Sequence, residues 1–149
     1  MLYIMFAVFL HIRGGIVMKK QVHVVGAIIL NEEKEVFCAQ RGAQMTLANK
    51  WEFPGGKIEQ GETKQQALIR EIKEELSCEI EVYEQVEDTT YEYETFIVRL
   101  ETFIAKVVSG TPTISEHAAS LWLPINKLKI IEWAAADIPA VEKLQMEFK

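Results

Sequence analysis

Cysteine is scarce in this sequence, and that scarcity limits the chemistry that the chain can carry. Among the 149 residues, only Cys38 and Cys78 are cysteines, and each has apolar neighbours. The sequence has no CxxC pair and no Cys/His cluster, so no zinc site is indicated. Isolated cysteines in apolar surroundings are typical of buried, reduced thiols in an intracellular protein. We therefore expect a cytoplasmic protein with both thiols reduced.

The sequence is also poor in positive charge and in long hydrophobic runs. Its 16 Lys and Arg residues are outnumbered by 22 Asp and Glu residues, which gives a formal net charge of −6. Clustered Lys and Arg bind phosphate backbones, so nucleic acid is not an expected partner. The apolar stretch 1–10 is far shorter than the ~18–20 residues that span a membrane, so no membrane partner is expected. A small anionic substrate fits this charge if a metal cation and a few local basic residues offset it.

The first 17 residues look separate from the rest of the chain. Met18-Lys19-Lys20 resembles a natural start directly before the first predicted strand. No basic residue precedes the apolar stretch, and Arg13-Gly14-Gly15 is not a small-x-small cleavage site, so a signal peptide is not favoured. Purine-rich codons for these three residues would instead form a translated ribosome-binding site. We predict that residues 1–17 are a non-native or disordered extension and that residues 18–149 form a single domain.

The pattern of apolar residues predicts strands and two helices. Thr63 is followed three residues later by Gln66, which is typical of a capping box at the start of a helix. We expect the buried side of that helix to consist of Ala67, Leu68, Ile69, Ile72 and Leu76. Strands are predicted at 22–30, 35–40, 51–53 and 119–123, residues 79–107 are strand-like, and helices are predicted at 64–76 and 139–148. This order predicts an α/β fold with a mixed sheet rather than a Rossmann fold.

Three glutamates stand on one face of the first predicted helix. Glu71, Glu74 and Glu75 are spaced i, i+3 and i+4, so their like charges repel and destabilise the helix. A solvated charged face is the ordinary explanation for such a run, but only Lys73 lies between them and it points elsewhere. A divalent cation that prefers hard oxygen ligands also explains the cluster. From the spacing alone, both explanations remain open.

The segment around these glutamates carries a resemblance to a known family. Residues 56–78 resemble the Nudix box, G-x5-E-x7-R-E-U-x-E-E-x-G-U, in which U is a bulky apolar residue. Its fixed positions are filled by Gly56, Glu62, Arg70, Glu71, Ile72, Glu74 and Glu75. Ser77 stands where the family usually has a left-handed glycine that ends the helix, so we expect a modest loss of stability there. From residue 18 onward, the chain also resembles the MutT branch of the family.

The resemblance implies a fold and roles for individual residues. The fold is the Nudix fold, a mixed β-sheet packed between helices in an α/β/α sandwich. The residues that match metal ligands are Gly55, through its backbone carbonyl, Glu71, Glu74, Glu75 and Glu116. Arg70 matches the arginine that orients Glu71, and it joins these glutamates as the catalytic set. Residues implied to bind substrate are Arg41, Lys57, which matches a phosphate-contacting lysine, and Asp137.

Each of these roles has an ordinary structural alternative. Arg70 could form a surface ion pair, which contributes little to stability, and Glu116 could be a solvated loop acid. Asp137 could cap the last helix. His117 is expected on the surface. If Asp137 meets the base as an ionised carboxylate, it only accepts hydrogen bonds, which favours the cytosine amine over the uracil oxygen and is compatible with the N7–H of oxidised guanine.

The implied activity is magnesium-dependent hydrolysis of a nucleoside triphosphate to a nucleoside monophosphate and pyrophosphate, with Mn²⁺ able to substitute. The metal would neutralise the triphosphate, and in-line attack would occur at the β-phosphorus. Two substrates stay open, 8-oxo-dGTP and CTP or modified cytidine nucleotides, and both indicate nucleotide-pool sanitation. Hydrolases of other nucleoside diphosphate-linked compounds share the box. A non-catalytic nucleotide-binding Nudix module is the alternative from another class. The oligomeric state does not follow from the sequence.

Overall fold

Runs of strands are separated by helices, as the sequence predicts. The computed structural model describes residues 8–12 and 15–148, with side chains from 18 to 148. The helices are α1 (Lys64–Leu76) and α2 (Ile138–Glu147), and short 3-10 helices cover Ile125–Ile130 and Ala135–Asp137. The strands are β1 (Val8–Ile12), β2 (Gly15–Ile29), β3 (Glu35–Gln40), β4 (Trp51–Glu52), β5 (Gly55–Lys57), β6 (Glu79–Glu92), β7 (Phe96–Ser109) and β8 (Ala119–Pro124).

The larger sheet is mixed. Strand β2 runs parallel to β7, in a register from Lys20 opposite Phe96 to Ile29 opposite Ala105. Strands β1 and β5 pair antiparallel with β2, and β6 pairs antiparallel with β7. A smaller antiparallel sheet has the order β4-β3-β8. The parallel pair inside otherwise antiparallel neighbours confirms the predicted mixed sheet.

The two helices cover opposite faces of the strands. Val25, Ala27 and Ile29 of β2 belong to the same buried cluster as the apolar side of α1. Ile28, between two of them in sequence, belongs to the cluster that contains the apolar side of α2. Since successive strand residues point to opposite faces, β2 is buried on both sides. This layering is the predicted α/β/α sandwich.

Helix α1 begins and ends as the sequence predicts. The Thr63 hydroxyl accepts a hydrogen bond from the Gln66 N–H at 3.1 Å, and the Gln66 side chain accepts one from the Thr63 N–H at 2.9 Å, which confirms the capping box. Ser77 ends the helix with φ 54° and ψ 34°, the left-handed conformation that the family glycine adopts. The prediction for Ile69 is wrong, because its side chain lies about 100° around the helix from Leu68 and is 38% exposed.

The strands differ from the sequence-based expectation in two places. Strand β2 begins at Gly15 rather than at residue 22. The strand-like region divides into β6 and β7, joined by a turn in which the Tyr93 N–H donates to the Phe96 carbonyl.

The prediction of a non-native extension at 1–17 stays a prediction. The backbone of 8–12 forms an antiparallel hairpin with the start of β2, from Ile12 opposite Gly15 to Val8 opposite Lys19. Residues 1–7, 13 and 14 lie outside the described residues. Among the residues that the structure describes, no helix is long and apolar enough to cross a membrane.

Replacing Ser77 with glycine should stabilise the fold. A left-handed backbone conformation costs an L-residue about 1–2 kcal/mol, and glycine avoids most of this cost at an exposed position. We expect Ser77→Gly to raise the free energy of unfolding by about 1 kcal/mol in urea denaturation. The matched control is Ser109→Gly, at the end of β7, where φ is not positive and glycine should be neutral or destabilising. Equal effects of the two substitutions would contradict the assignment of strain to Ser77.

Candidate active site

A single pocket gathers most of the predicted site residues. Its volume is about 460 Å³, and β2, β5, β7, the end of α1 and the segments 41–47, 115–117 and 134–137 form its walls. The predicted residues in its lining are Arg41, Gly55, Lys57, Glu75, Glu116 and Asp137. Arg70, Glu71 and Glu74 lie on neighbouring turns of α1. The chain therefore brings together residues that are up to 96 positions apart in sequence.

The Arg70 guanidinium binds the acidic residues around it. It donates to both carboxylate oxygens of Glu62 at 2.7 and 3.0 Å, to Glu71 at 2.9 Å and to Glu74 at 3.3 Å. A further hydrogen bond reaches the backbone carbonyl of Lys57 at 3.0 Å. The hydrogen bond from Arg70 holds the pKa of Glu62 below its usual range. Arg70 thus connects β5, the turn before α1 and the acidic face of the helix, which is more than an isolated ion pair provides.

Two consecutive glycines in β5 allow the close approach of this strand to β2 and to α1. A Cβ on Gly56 would overlap the carboxylate of Glu71, and a Cβ on Gly55 would overlap the backbone carbonyl of Val25. A Cβ at Gly55 is therefore excluded by backbone, whereas one at Gly56 would require the Glu71 carboxylate to move. Burial raises the pKa of Glu71 despite the hydrogen bond from Arg70. The Glu71 carboxylate is consequently held against the β5 backbone.

Glu75 is the most unusual carboxylate in the pocket. Its Oε2 atom is buried and has no hydrogen-bond partner among the residues that the structure describes. Burial raises the pKa of Glu75 to about 8, although nearby His117 and a hydrogen bond with the Gly55 backbone act in the opposite direction. A buried carboxylate oxygen without a partner is unfavourable unless a proton or a cation reaches it. Glu75 therefore marks a place where the pocket attracts positive charge.

The remaining predicted metal ligands are less enclosed. The Glu74 side chain is 61% exposed and bonds to Arg70, and Glu116 is exposed at the pocket. Within the described part of the chain, no group of three or more His, Cys, Asp or Glu side chains is arranged as a metal site. Arg70 bonds to one oxygen of Glu71 and one oxygen of Glu74. A shared metal site for these glutamates stays a prediction.

Asp137 faces the pocket and does not cap α2. Its Oδ1 accepts a hydrogen bond from the backbone N–H of Phe53 at 3.0 Å, and the residue is 6% exposed. Within the described residues, its side chain makes no capping hydrogen bond, and its backbone is already helical. Burial, together with the charge of Glu52, raises the pKa of Asp137 well above its usual range. The assumption of an ionised Asp137 therefore needs revision, because this environment favours the neutral acid.

Two residues that the sequence analysis did not select join this site. Glu52 accepts from Arg41 Nη1 through Oε1 at 2.9 Å and from His117 Nε2 through Oε2, also at 2.9 Å. Arg41 is fixed in turn by hydrogen bonds to the backbone and side chain of Thr46. The His117 side chain is 4% exposed, so its assignment to the surface is wrong. Its partner lies 65 positions away, and no local pattern reveals that contact.

Aromatic residues form another wall of the pocket. Tyr93 and Phe96 stack with ring centroids 4.9 Å apart, and both line the pocket. The Tyr93 hydroxyl accepts a hydrogen bond from the Ala136 N–H at 2.9 Å, directly before Asp137. Tyr91, 39% exposed, packs on the Tyr93 ring at 4.6 Å. These aromatic contacts fix the turn that carries Asp137.

Comparison with known proteins agrees with this geometry. The family model described as NUDIX domain matches residues 20–144. The chain belongs to the NUDIX domain family. An 8-oxo-dGTP diphosphatase of Escherichia coli strain K12 is 33% identical over 126 residues, which cover 85% of this chain and 98% of the relative. A CTP pyrophosphohydrolase of the same organism is 39% identical over 123 residues, which cover 83% of this chain and 90% of the relative.

The Nudix assignment extends to solved structures. The NMR structure of the DNA mismatch repair protein MutT, a Nudix hydrolase from methicillin-resistant Staphylococcus aureus 252, is 48% identical to this chain. It superposes with a TM-score of 0.71 and covers 87% of this chain and 99% of its own. The fold is therefore the Nudix fold, as the sequence predicts, and the chain is a Nudix hydrolase.

The ionisation of Asp137 should appear in the pH dependence of stability. Since the folded-state pKa lies above the unfolded value of about 3.9, the folded state binds the proton more tightly. The contribution of this proton to the free energy of unfolding is fully present below the unfolded pKa, and it is lost as the pH rises through the folded pKa. Asp137→Asn cannot ionise and keeps an oxygen for the Phe53 N–H. We therefore expect the Tm of this variant, relative to the parent, to increase as the pH rises from 4 to 8.

Asp88→Asn is a control of opposite sign. The hydrogen bond from Arg99 lowers the pKa of Asp88, so its contribution is present above the unfolded pKa and is lost as the pH falls. The Tm difference for Asp88→Asn should therefore be unfavourable at neutral pH and shrink at low pH. A pH-independent Tm difference for Asp137→Asn would refute the raised pKa of Asp137.

Proposed function

We propose that this Nudix hydrolase is a divalent-metal-dependent nucleoside triphosphate pyrophosphohydrolase that releases a nucleoside monophosphate and pyrophosphate. The supporting observation is that one pocket contains two kinds of polar group. Gly55, Glu75 and Glu116 line one part of the pocket, which we call the acidic part. Arg41 and Asp137 line the part that we propose to hold the nucleobase, which we call the base part. A volume of about 460 Å³ falls within the range of about 300–1,000 Å³ that is usual for ligand pockets.

The carboxylates of the acidic part fit a divalent cation. The buried, unpartnered Oε2 of Glu75 is a hard oxygen in a position that attracts positive charge. We propose that the Gly55 carbonyl, Glu71, Glu74, Glu75 and Glu116 hold Mg²⁺, and that Mn²⁺ can substitute for it. When bound, the metal supplies neutralisation of the phosphate charge and lowers the pKa of the attacking water.

The residues of the chain have separate tasks in this proposal. Arg70 orients the Glu71 carboxylate through a 2.9 Å hydrogen bond. Lys57, at the end of β5, contacts the phosphates. Glu116, which lies exposed at the pocket, supports the metal or the attacking water. One carboxylate of this set accepts the proton of the water that attacks the β-phosphorus. The bond between the β-phosphorus and the oxygen that bridges it to the α-phosphorus breaks, so the nucleoside monophosphate leaves in line with the attacking oxygen, which ends up in pyrophosphate.

The base part is proposed to accept 8-oxo-dGTP or CTP and modified cytidine nucleotides, in keeping with a role in nucleotide-pool sanitation. The substrates in the names of the two relatives support this choice. A neutral Asp137 offers an O–H donor as well as an acceptor, and Oδ1 is already engaged by Phe53. Cytosine presents an amine beside an acceptor nitrogen, and 8-oxoguanine presents an N7–H beside an acceptor oxygen. Both edges match a carboxyl group that donates and accepts. Uracil also presents an N–H beside an acceptor oxygen, so the preference against UTP that we propose rests on the substrates in the names of the two relatives.

Removal of the Glu75 charge should abolish metal-dependent turnover. Glu75→Gln keeps the size of the side chain but removes its negative charge. We expect kcat to fall by about two orders of magnitude or more, since metal stabilisation of the transition state contributes several kcal/mol. Mg²⁺ binding, measured by calorimetry without substrate, should weaken in parallel. The control is Glu79→Gln, a 53%-exposed glutamate that pairs with Lys73 and should leave both values unchanged. Near-normal turnover of Glu75→Gln would contradict its assignment as a ligand.

A panel of nucleotides tests the proposed substrate class. We expect kcat/KM for 8-oxo-dGTP, CTP or dCTP to exceed that for UTP by about tenfold or more, with monophosphate and pyrophosphate as products. Asparagine resembles the neutral acid in having one acceptor and a donor, so Asp137→Asn should keep this order. An order led by UTP would contradict the proposed base specificity, and the absence of turnover for every nucleotide would favour a binding module.

A further inference from the structure

The segment that carries Glu116 is attached to the rest of the domain on three sides. The Thr113 N–H donates to the Leu76 carbonyl at 2.9 Å, and the Ala118 N–H donates to the Gln40 carbonyl at 2.8 Å. The Ser115 hydroxyl donates to the Glu75 carbonyl at 3.2 Å. These bonds tie residues 113–118, which we call the Glu116 loop, to the end of α1 and to β3. None of these bonds is made by Glu116 itself, so its position depends on the residues directly beside it.

His117 is the buried side chain of this loop. Ser115, Glu116 and Ala118 are exposed, whereas the His117 side chain is 4% exposed and donates to Glu52 Oε2 at 2.9 Å. Burial of an imidazole is unfavourable unless its polar atoms are bonded, so the Glu52 contact is needed to keep this side chain inside. Ile114 packs against the core, and Ser115 and Ala118 are hydrogen-bonded, but loss of the His117–Glu52 contact would leave the buried imidazole without this partner directly beside Glu116.

Glu52 is a rigid partner for His117. Its other oxygen accepts from Arg41, and Arg41 makes two hydrogen bonds to Thr46. The same Glu52 charge acts on Asp137 in the base part and on Glu75 in the acidic part. The carboxylate thus stands between the two parts of the pocket and is held there from both sides.

We propose that His117 is a positioning residue for hydrolysis, which holds Glu116 at the acidic part of the pocket by anchoring its loop to Glu52. The proposal rests on the proposed function, because it requires that Glu116 takes part in the reaction. It adds that Glu52, the residue to which His117 is anchored, also bonds to Arg41. The residue that fixes the hydrolytic loop is therefore connected to the base part of the pocket.

The first measurement needs no substrate. Amide hydrogen exchange of Thr113 and Ala118, followed by NMR, reports opening of the Glu116 loop, because both amides are hydrogen-bonded on either side of Glu116. We expect His117→Ala to accelerate both amides while the Gln66 amide in the capping box of α1 keeps its rate. His117→Gln retains a donor at the end of the side chain and should restore slow exchange. Unchanged exchange in His117→Ala would overturn the proposal.

The second measurement separates positioning from binding. In His117→Ala, we expect kcat for the best nucleotide of the panel to fall on the order of 10- to 100-fold, because misplaced catalytic groups cost rate in this range. KM should change little, since Arg41 still holds Glu52. His117→Gln should recover most of kcat. A loss confined to KM, or a kcat equal to that of the parent, would overturn the positioning role.

Two further variants complete the design. His23→Ala removes a partly buried histidine outside this pocket, which pairs with the Glu101 carboxylate at 2.6 Å. Loop exchange in this variant should match the parent even if Tm falls. Adding His117→Ala to Glu52→Gln should accelerate loop exchange less than it does in the parent, because both act through one bond. Full additivity would overturn the anchor. If the parent turns over no nucleotide, the proposed function is wrong, and the exchange data alone decide whether His117 anchors the loop.

Discussion

The Arg70 guanidinium is the interaction on which the arrangement of the active site depends. Glu62, Glu71 and Glu74 surround it, and without a cation between them their charges would push the turn and the first half of the acidic helix face apart. Its fifth bond, to the Lys57 carbonyl, attaches the helix to β5. The close contact of Glu71 with Gly56 follows from this attachment, and it leaves Glu75, one turn later, to face the pocket.

Those features of the fold that depend on neighbouring residues could be predicted from the sequence. The capping box of α1 joins residues three positions apart, and the left-handed Ser77 follows from its place in the box pattern. The same holds for the bounds of α1, which match the predicted range. Local hydrogen bonds and helical periodicity determine these features, and both depend on residues that are close together in sequence.

The contacts that assemble the site could not be predicted in this way. Asp137 bonds to Phe53, 84 positions away, instead of capping the helix that follows it. His117 bonds to Glu52, 65 positions away, instead of lying on the surface. In each case the residues near the side chain in sequence suggest an ordinary local role. In the folded structure the side chain instead bonds to an element that is distant in sequence. The Nudix box identified the acidic helix, but the base part of the pocket depends on tertiary contacts between β4, the Glu116 loop and the start of α2.

Two glutamates with buried carboxylate oxygens lie near opposite ends of α1. One of them stabilises the fold, and the other is proposed to take part in the reaction. Glu101 accepts hydrogen bonds from His23, Lys64 and Gln85; burial pushes its pKa up, but these bonds outweigh burial and the pKa lies below its usual range. Lys64 is the first residue of α1, so this satisfied carboxylate holds the start of the helix to the sheet. Glu75, near the other end, keeps a buried oxygen without a partner within the described chain. A fold that satisfies one buried acid with three donors has the means to satisfy another. The exception at Glu75 therefore supports our proposal that this carboxylate binds a ligand rather than stabilising the fold.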